Sequence, residues 1–106
     1  MKLDATISAL ADPTRRALLR RLADGPRRAS ALAAGFAMSR PAICKHTRLL
    51  SRAGLIRARQ NGRERIYELD PKGGRAIKEL IMEFEGMERF WQTALEAFKR
   101  YAEEES

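Results

Sequence analysis

The chain has 106 residues and carries 21 Lys and Arg against 14 Asp and Glu, a net charge of +7 at pH 7. This length accommodates one domain (residues 1–106), and a hydrophobic fraction of 44% can form a core, which excludes a disordered polycation. One Cys and one His exclude an internal disulfide and an ordinary closed zinc site, and the longest apolar run, residues 31–38, is too short to cross a bilayer. We therefore expect a soluble cytoplasmic protein with no membrane contact, no cofactor and no bound metal.

The positive charge is unevenly distributed along the chain. Residues 1–69 hold 15 Lys and Arg against 5 Asp and Glu, a net charge of +10, whereas residues 70–106 hold 6 against 9, a net charge of −3. The basic part predicts a polyanion-binding surface, and the acidic part predicts a module with another task. The alternative is that the many Arg residues reflect genome composition alone, so their placement must decide.

Two helices are predicted at the start of the chain. Residues 4–11 form a short helical candidate with Ile7 and Leu10 on one face. An Asp-Pro pair at 12–13 is a typical helix start, and the helix that follows ends at the Gly-Pro pair at 25–26.

Two further helices follow, joined by a short turn that contains Gly35. Ser30 is the predicted cap of a third helix that runs to about Ala34. Ser39 is the predicted cap of a fourth helix over residues 39–53. Gly54 lies just past its end, where helices commonly have a residue in the left-handed conformation. The apolar anchors of this helix are predicted to be Ile43, Leu49 and Leu50. Two helices joined in this way form a helix-turn-helix.

A β-hairpin is predicted next. Residues 55–60 and 63–69 are β-compatible, and the Asn-Gly pair at 61–62 between them favours a type I′ turn. This turn would place Arg59 opposite Glu64 and Ala58 opposite Arg65. A two-stranded hairpin cannot stand alone, so it must pack on the helices as a wing over residues 55–69.

A long last helix is predicted from the Asp-Pro pair at 70–71 to the acidic tail, over about 71–105. Apolar residues repeat along it every seven positions in two sets three residues apart, which is typical of a seam for a partner helix. Gly86 either kinks this helix or lies on its surface. The two sets are Ile77, Phe84, Trp91 and Phe98, and Leu80, Met87, Ala94 and Tyr101.

These elements predict a mostly helical fold with a small β-hairpin, a winged helix-turn-helix. Basic residues fall on the two elements that this geometry directs at DNA, since a helix fits the major groove and a wing can place Arg against phosphate or in the minor groove. The alternative is a solvated charged face. The basic candidates on the fourth helix are Arg40, Lys45, His46, Arg48 and Arg52, and those on the wing are Arg57, Arg59, Arg63 and Arg65.

Three segments resemble the ArsR/SmtB family of bacterial winged-helix transcriptional regulators. They are ALADPTRRALLRRL at residues 9–22, MSRPAICKHTRLLSRAGLI at 38–56 and QNGRERIYELDP at 60–71. The resemblance covers nearly the whole chain. The run Arg-Phe-Trp at 89–91 is similar to the branch of the family without metal motifs.

The resemblance implies a homodimeric repressor that binds a palindromic operator in double-stranded DNA and is released by an inducer, whose identity the sequence does not indicate. It implies a dimer interface formed by the first and last helices. The candidate interface residues are Ile7, Leu10, Phe84, Met87, Trp91, Leu95 and Phe98. The residues implied in DNA contact, besides the basic wing residues, are Ser30, Ser39, Arg40, Ala42, Lys45, His46 and Arg48.

The chain departs from the family pattern at three places. The third helix lacks the Cys-x-Cys of the metal-sensing members, and the last helix has no His, so we expect no metal site. Cys44 stands where the family usually has Ser, and Thr47 stands where Leu is usual. Thr47 either loosens the packing of its helix or places a hydroxyl against a backbone carbonyl.

Alternatives stay open for three kinds of residue. Cys44 is either an oxidisable thiol flanked by cations or a small contact residue in place of Ser. His46 either donates to DNA or packs half-buried with one nitrogen satisfied. The aromatic residues of the last helix either line a ligand pocket between subunits or form the dimer core.

Two other function classes are alternatives to DNA binding. A dimeric protein-interaction adaptor or antitoxin-like module would use the aromatic last helix, but it leaves the basic elements unexplained. An enzyme is not expected, because the sequence offers no nucleophile with a base, no phosphate-binding glycine loop and no carboxylate pair.

Overall fold

The computed structural model describes the backbone of residues 2–105 and the side chains of residues 3–105. The predicted order of five helices and a hairpin is confirmed, and one short strand adds to the hairpin to make a three-stranded sheet. The elements are α1 (Lys2–Leu10), α2 (Pro13–Ala23), β1 (Arg27–Arg28), α3 (Ala29–Ala33), α4 (Arg40–Arg52), β2 (Ile56–Asn61), β3 (Glu64–Leu69) and α5 (Pro71–Glu105).

Helix α2 begins where the Asp-Pro pair predicted. The Asp12 carboxylate accepts hydrogen bonds from the amides of Thr14 and Arg15, at 2.8 and 3.2 Å. Burial raises the pKa of Asp12, but these hydrogen bonds and the positive charge of Arg15 outweigh it and hold that pKa below its ordinary value. The cap is therefore an ionised carboxylate at neutral pH.

Helix α3 differs from its prediction, because Ser30 does not cap it. The cap position belongs to Arg28, whose side chain makes no capping hydrogen bond, and Ser30 lies exposed in the first turn. The reason is the short strand β1, which the sequence did not reveal. It pairs antiparallel with β3 and holds the chain extended up to Arg28, so the cap position lies at Arg28, two residues before Ser30.

Helix α4 begins and ends as predicted. The Ser39 hydroxyl accepts a hydrogen bond from the Ala42 amide at 3.3 Å. At the other end, Gly54 has a φ of 76°, its amide bonds to the Ser51 carbonyl, and the Leu55 amide bonds to the Leu50 carbonyl. This pair of hydrogen bonds is a Schellman motif, which requires a left-handed residue at the glycine position.

The hairpin forms, but its turn and register differ from the prediction. Asn61 belongs to β2 and pairs with Glu64, so the central turn residues are Gly62 and Arg63. Gly62 has a φ of 65° and no non-glycine residue in the described chain has a positive φ, which excludes a type I′ turn and fits a type II′ turn. The pairing therefore shifts by two residues: Arg59 lies opposite Ile66, Ala58 opposite Tyr67 and Gln60 opposite Arg65.

The sheet has three strands in the order β1-β3-β2, and the helices pack on it around one cluster of buried residues. Each of α2, α3 and α4 contributes apolar side chains to this cluster, and the junction between α4 and β2 contributes two more. Leu49, a predicted anchor of α4, is 39% exposed instead, because Thr47 takes the inner position. The cluster comprises Ala9, Leu18, Leu22, Leu32, Leu50, Leu55, Ile56 and Tyr67.

Helix α5 starts against the core and then extends away from it. A Cβ on Gly73 would lie 2.9 Å from the Leu55 Cα, so only glycine allows this close approach between α5 and the α4–β2 junction. The helix has 35 residues, a length of about 52 Å, in a molecule of 66 × 29 × 24 Å. It continues unbroken through Gly86, which is exposed. Past Leu80, no residue of α5 that the structure describes is fully buried.

Candidate nucleic-acid interface

Helix α4 is divided into a buried face and a cationic face. Ile43, Thr47 and Leu50 are buried at helical spacing and attach the helix to the body of the protein. Lys45, Arg48 and Arg52 recur at intervals of three and four residues on the opposite side, and all three are exposed. We call these three residues the outer ridge. Arg40, in the first turn, adds a fourth exposed cation.

The cations of α4 have no partner in the part of the chain that the structure describes. No Asp or Glu occurs between residues 40 and 52. Within residues 2–105, none of Arg40, Lys45, Arg48 and Arg52 forms a hydrogen bond or an ion pair. The outer ridge therefore presents its full charge to solvent or to a polyanion.

Thr47 anchors α4 to the sheet. Its hydroxyl donates to the Cys44 carbonyl at 3.0 Å, as one of the two sequence alternatives predicted, and lies 3.5 Å from the Tyr67 hydroxyl on β3. The residue is 4% exposed. The buried Thr47 hydroxyl is therefore hydrogen-bonded, and its contact with Tyr67 links α4 directly to the hairpin.

His46 lies on the flank of α4, away from the outer ridge. It is half-buried, and its Nδ1 lies 3.2 Å from Nη1 of Arg15 on α2. A guanidinium only donates, so this contact makes Nδ1 the acceptor and leaves the proton on Nε2. This arrangement matches the packing alternative for His46, and the other alternative, a contact with DNA through Nε2, stays a prediction.

The other predicted contact residues are placed at the N-terminal end of α4 and on α3. Ser39 and Cys44 are exposed, Ala42 is half-buried, and Ser30 is exposed on α3. The redox alternative for Cys44 stays a prediction.

Two arginines of the hairpin share an acidic partner, in contrast to the cations of α4. Nε of Arg57 and Nε of Arg59 lie 3.2 and 3.5 Å from the same Glu68 oxygen. The observed register explains this contact, because Arg57 lies directly opposite Glu68 and Arg59 is on the same face of the sheet. Two of the four predicted wing cations thus share one carboxylate.

The remaining hairpin cations differ from each other. The guanidinium of Arg65 lies over the Tyr67 ring, 5.6 Å from its centroid, a cation–π contact. Arg63 is in the turn and has no ion pair or hydrogen bond in the described part of the chain. Glu64, beside it, pairs with Arg28 of β1 at 3.2 Å. Arg63 at the tip is therefore the wing cation most available to a phosphate.

Three arginines of α2 are occupied by carbonyl groups of neighbouring helices. Arg15 donates to the Ser8 and Ala9 carbonyls and Arg16 to the Leu10 carbonyl, which satisfies the end of α1. Arg21 donates to the Leu32 and Ala34 carbonyls at the end of α3, and its guanidinium stacks on the Phe36 ring at 4.3 Å. These arginines add to the net charge but serve the fold.

The sequence did not identify Glu68 or the contact between Arg15 and His46. Arg15 and His46 are 31 positions apart, so no local pattern joins them. Glu68 had a usable signal in the alternation of Arg and Glu across the hairpin, but the predicted register placed other residues opposite each other.

A second surface lies on the distal part of α5. Large apolar side chains are exposed along one side, including Trp91 at 51% and Phe98 at 71%. Phe84, Trp91 and Leu95 border a groove of about 480 Å³ on this side. The first repeat of the predicted seam lies elsewhere, since α5 packs against α1 and Leu80 is buried. Of the predicted interface residues, Ile7, Phe84, Trp91, Leu95 and Phe98 are exposed, and Leu10 and Met87 are half-buried.

The part of the chain that the structure describes has neither a membrane-spanning helix nor a metal-binding cluster. No helix there is long and apolar enough to span a bilayer. No three His, Cys, Asp or Glu residues there are arranged to hold a metal ion.

The arrangement of α3, α4 and the three-stranded sheet is that of a winged helix-turn-helix protein. A helix-turn-helix domain family matches residues 10–59. The HTH-type transcriptional regulator Rv2034 of Mycobacterium tuberculosis is 38% identical over 102 residues, which are 96% of this chain and 90% of that protein.

Solved structures agree with this class. The crystal structure of an ArsR family transcriptional regulator matches with a TM-score of 0.72 and 36% identity, covering 86% of this chain and 91% of the other. A homodimeric winged helix-turn-helix DNA-binding domain from Mycobacterium bovis, 23% identical, shares the fold with a TM-score of 0.64 over 83% of each chain. The chain belongs to the ArsR family of winged helix-turn-helix transcriptional regulators, as its motifs predicted.

Proposed function

We propose that the protein is a homodimeric repressor that binds a palindromic operator through α4 and the β2–β3 hairpin. The observation that carries this proposal is the set of unpaired cations on the exposed side of α4, in a transcriptional regulator with a helix-turn-helix domain. Arg and Lys on a helix in the major groove can bond to guanine O6 and N7. The N-terminal turns of such a helix come nearest to base edges, so we assign base contacts to Arg40 and Lys45.

The hairpin is assigned to the phosphate backbone. Its tip carries Arg63, and its sides carry Arg57, Arg59 and Arg65 with their side chains already held by neighbours. Phosphate contacts position a protein on the duplex and supply affinity without reading sequence. Ser30, at the start of α3, is assigned to a phosphate as well.

A second copy of the chain is the proposed occupant of the exposed side of α5. An apolar row of this size on a small monomer is an aggregation hazard unless a partner covers it. The homodimeric state of the Mycobacterium bovis domain with the same fold supports this occupant. A two-fold dimer presents two α4 helices, which fit half-sites about 34 Å or a multiple of that apart.

Repression follows from the geometry of such a complex. A dimer seated on two half-sites occupies at least a full turn of duplex and excludes other proteins from it. An operator within a promoter would thus be blocked by occupancy alone.

The dimer is tested by sedimentation velocity. Trp91→Ala together with Phe98→Ala should convert the dimer to a monomer, whereas Met82→Ala, which removes an equally exposed apolar residue from the opposite side of α5, should leave it intact. A monomeric wild type, or a dimer that survives the double change, would contradict the proposed interface.

The DNA target is tested by selecting duplexes from a random pool and adding the best of them to the sedimentation experiment. A complex of two chains with one palindromic duplex supports the proposal. A dimer that binds no duplex but associates with another protein through α5 would support the adaptor alternative instead.

A further inference from the structure

Arg15 joins the end of α1 to the flank of α4. Its Nε donates to the Ala9 carbonyl and its Nη2 to the Ser8 carbonyl, both at 2.8 Å. Its Nη1 lies 3.2 Å from Nδ1 of His46. One planar side chain therefore has donors fixed on two helices, and its rigid fork holds the three contacts in one geometry.

Helices α1 and α4 have a gap between them beside this contact. A cleft of about 180 Å³ separates them, with Ala5 and Ser8 on one wall and Leu49 and Ala53 on the other. Helix α1 packs against α2 and α5, and α4 packs against α2 and β2. The Arg15 side chain is thus a polar bridge across a junction that apolar packing does not fill.

We propose that Arg15 and His46 are a positioning pair that sets the placement of α4 relative to α1, and through it the half-site spacing that the dimer accepts. The inference rests on the proposed function, because it assumes that α1 and α5 form the dimer and that α4 binds DNA. In a two-fold dimer, any rotation of α4 about its attachment in one protomer is repeated in the other. A small freedom in each protomer therefore becomes a larger uncertainty in the distance between the two α4 helices.

The experiment measures spacing discrimination. The probes are the palindromic duplex selected from the random pool, the same duplex with one base pair inserted or deleted between its half-sites, and a duplex with one half-site. One base pair moves a half-site by about 3.4 Å and rotates it by about a tenth of a turn. The wild type should bind the selected spacing much more tightly than either altered spacing.

Arg15→Ala and His46→Leu should each reduce this discrimination by about fivefold, the size of a coupling between two contacting residues. The affinity of Arg15→Ala for the single half-site should stay unchanged, because Arg15 lies on α2 and the outer ridge is untouched. The double variant should be no worse than either single variant, since both remove the same contact. His46→Asn, whose amide oxygen can take the place of Nδ1 as acceptor, should restore discrimination.

Arg16 provides the matched control. It is adjacent to Arg15 and caps the same helix, through the Leu10 carbonyl at 2.7 Å, but it does not reach α4. Arg16→Ala should therefore lower the stability of the α1 end and leave spacing discrimination at the wild-type value.

Four outcomes would overturn the inference. Unchanged discrimination in both Arg15→Ala and His46→Leu would show that the pair does not set the spacing. An equal loss in Arg16→Ala would assign the effect to a weakened α1, and a loss of half-site affinity in His46→Leu would assign His46 to direct DNA contact. Selection of duplexes with no preferred half-site spacing would contradict the palindromic operator of the proposed function. The inference would then fail together with that proposal.

Discussion

Helix α4 and the β2–β3 hairpin are both basic and exposed, yet their cations are held differently. Residues 40–52 carry four Lys and Arg with no acid among them, and none is paired in the described chain. The hairpin also carries four arginines, but Glu68 is shared by Arg57 and Arg59, and Arg65 lies over Tyr67. Net charge therefore does not tell which cations are available. The availability of each cation depends on the partners that the fold places beside it.

The difference has an energetic consequence for binding. A cation of α4 loses only hydration when it meets DNA, whereas Arg57 and Arg59 must also exchange Glu68 for a phosphate. Exposed ion pairs contribute about 0–1 kcal/mol, so Glu68 orients these arginines and lowers their affinity for a polyanion without abolishing it. This property suits the hairpin to positioning and α4 to base recognition.

The largest expected effect comes from breaking the junction that holds the two regions together. Gly73→Ala places a Cβ 2.9 Å from the Leu55 Cα and 3.2 Å from the Gly54 carbonyl oxygen, both backbone atoms at the α4–β2 junction. We expect a loss of about 2–3 kcal/mol in the free energy of unfolding, measured by urea denaturation, because backbone cannot move aside as a side chain can.

The neighbouring glycine is the control for this change. A Cβ on Gly74 meets nothing within 4 Å, so Gly74→Ala should stabilise the protein by up to about 1 kcal/mol. Equal effects of the two changes would contradict the close approach at Gly73.

The next largest effect separates the two regions by their role in DNA binding. Lys45→Ala should weaken binding to the selected duplex by about 1–3 kcal/mol and should weaken binding to random DNA much less. Arg63→Ala should lower the affinity for the selected and the random duplex by the same factor, and should reduce the slope of log K against log salt concentration by about 1. Fluorescence anisotropy at several salt concentrations measures both quantities. Equal losses on both duplexes for Lys45→Ala would remove its assignment to base edges.

A smaller effect of opposite sign is expected when the shared carboxylate is neutralised. Glu68→Gln should raise the affinity for random DNA by about twofold to fivefold, because Arg57 and Arg59 lose their common partner. Glu83→Gln on α5 removes the same charge without touching the hairpin and should change the affinity less. If the two variants bind alike, only net charge matters and the contrast between the two regions is wrong.

The smallest effect concerns Asp12, whose pKa is lowered in the folded protein. A lowered pKa means that Asp12 contributes stability above its unfolded value of 3.8, and that this contribution is lost as the pH falls through the lower folded value. Asn at this position can still accept the capping hydrogen bonds but does not titrate. The wild type should therefore lose more stability than Asp12→Asn on acidification below about pH 5, measured as the shift of the thermal midpoint.

Asp4→Asn is the charge-matched control for this series, because Asp4 lies exposed on α1 and does not cap α2. A wild type and an Asp12→Asn variant with parallel acid profiles would show that the ionised cap contributes nothing.

Much of the fold could be predicted from the sequence because its signals act over a few residues. The Asp-Pro pair, Ser39 and Gly54 each determine the conformation of adjacent peptide groups, and the structure confirms all three. The predicted hairpin register was wrong because the sequence pattern fits two registers. Moving the turn by one residue shifts the strand pairing by two residues, which keeps every side chain on the same face of the sheet. The apolar pattern is thus satisfied by both registers, and they are separated by Asn61 of β2, which pairs with Glu64 and does not adopt the positive φ of a type I′ turn.

The sequence by itself determined the order of the five helices and the hairpin, the family, the basic α4 and hairpin, and the apolar side of α5, because capping, periodicity and charge are properties of neighbouring residues. Only the tertiary structure decided which cations are free. Arg15 meets His46 from 31 positions away, Arg28 meets Glu64 across β1 and β3, and Glu68 holds two arginines of the opposite strand. These contacts depend on distances between segments that the chain brings together only when the core closes. The sequence determines how many cations the protein carries, and the fold determines which of them are free to bind a polyanion.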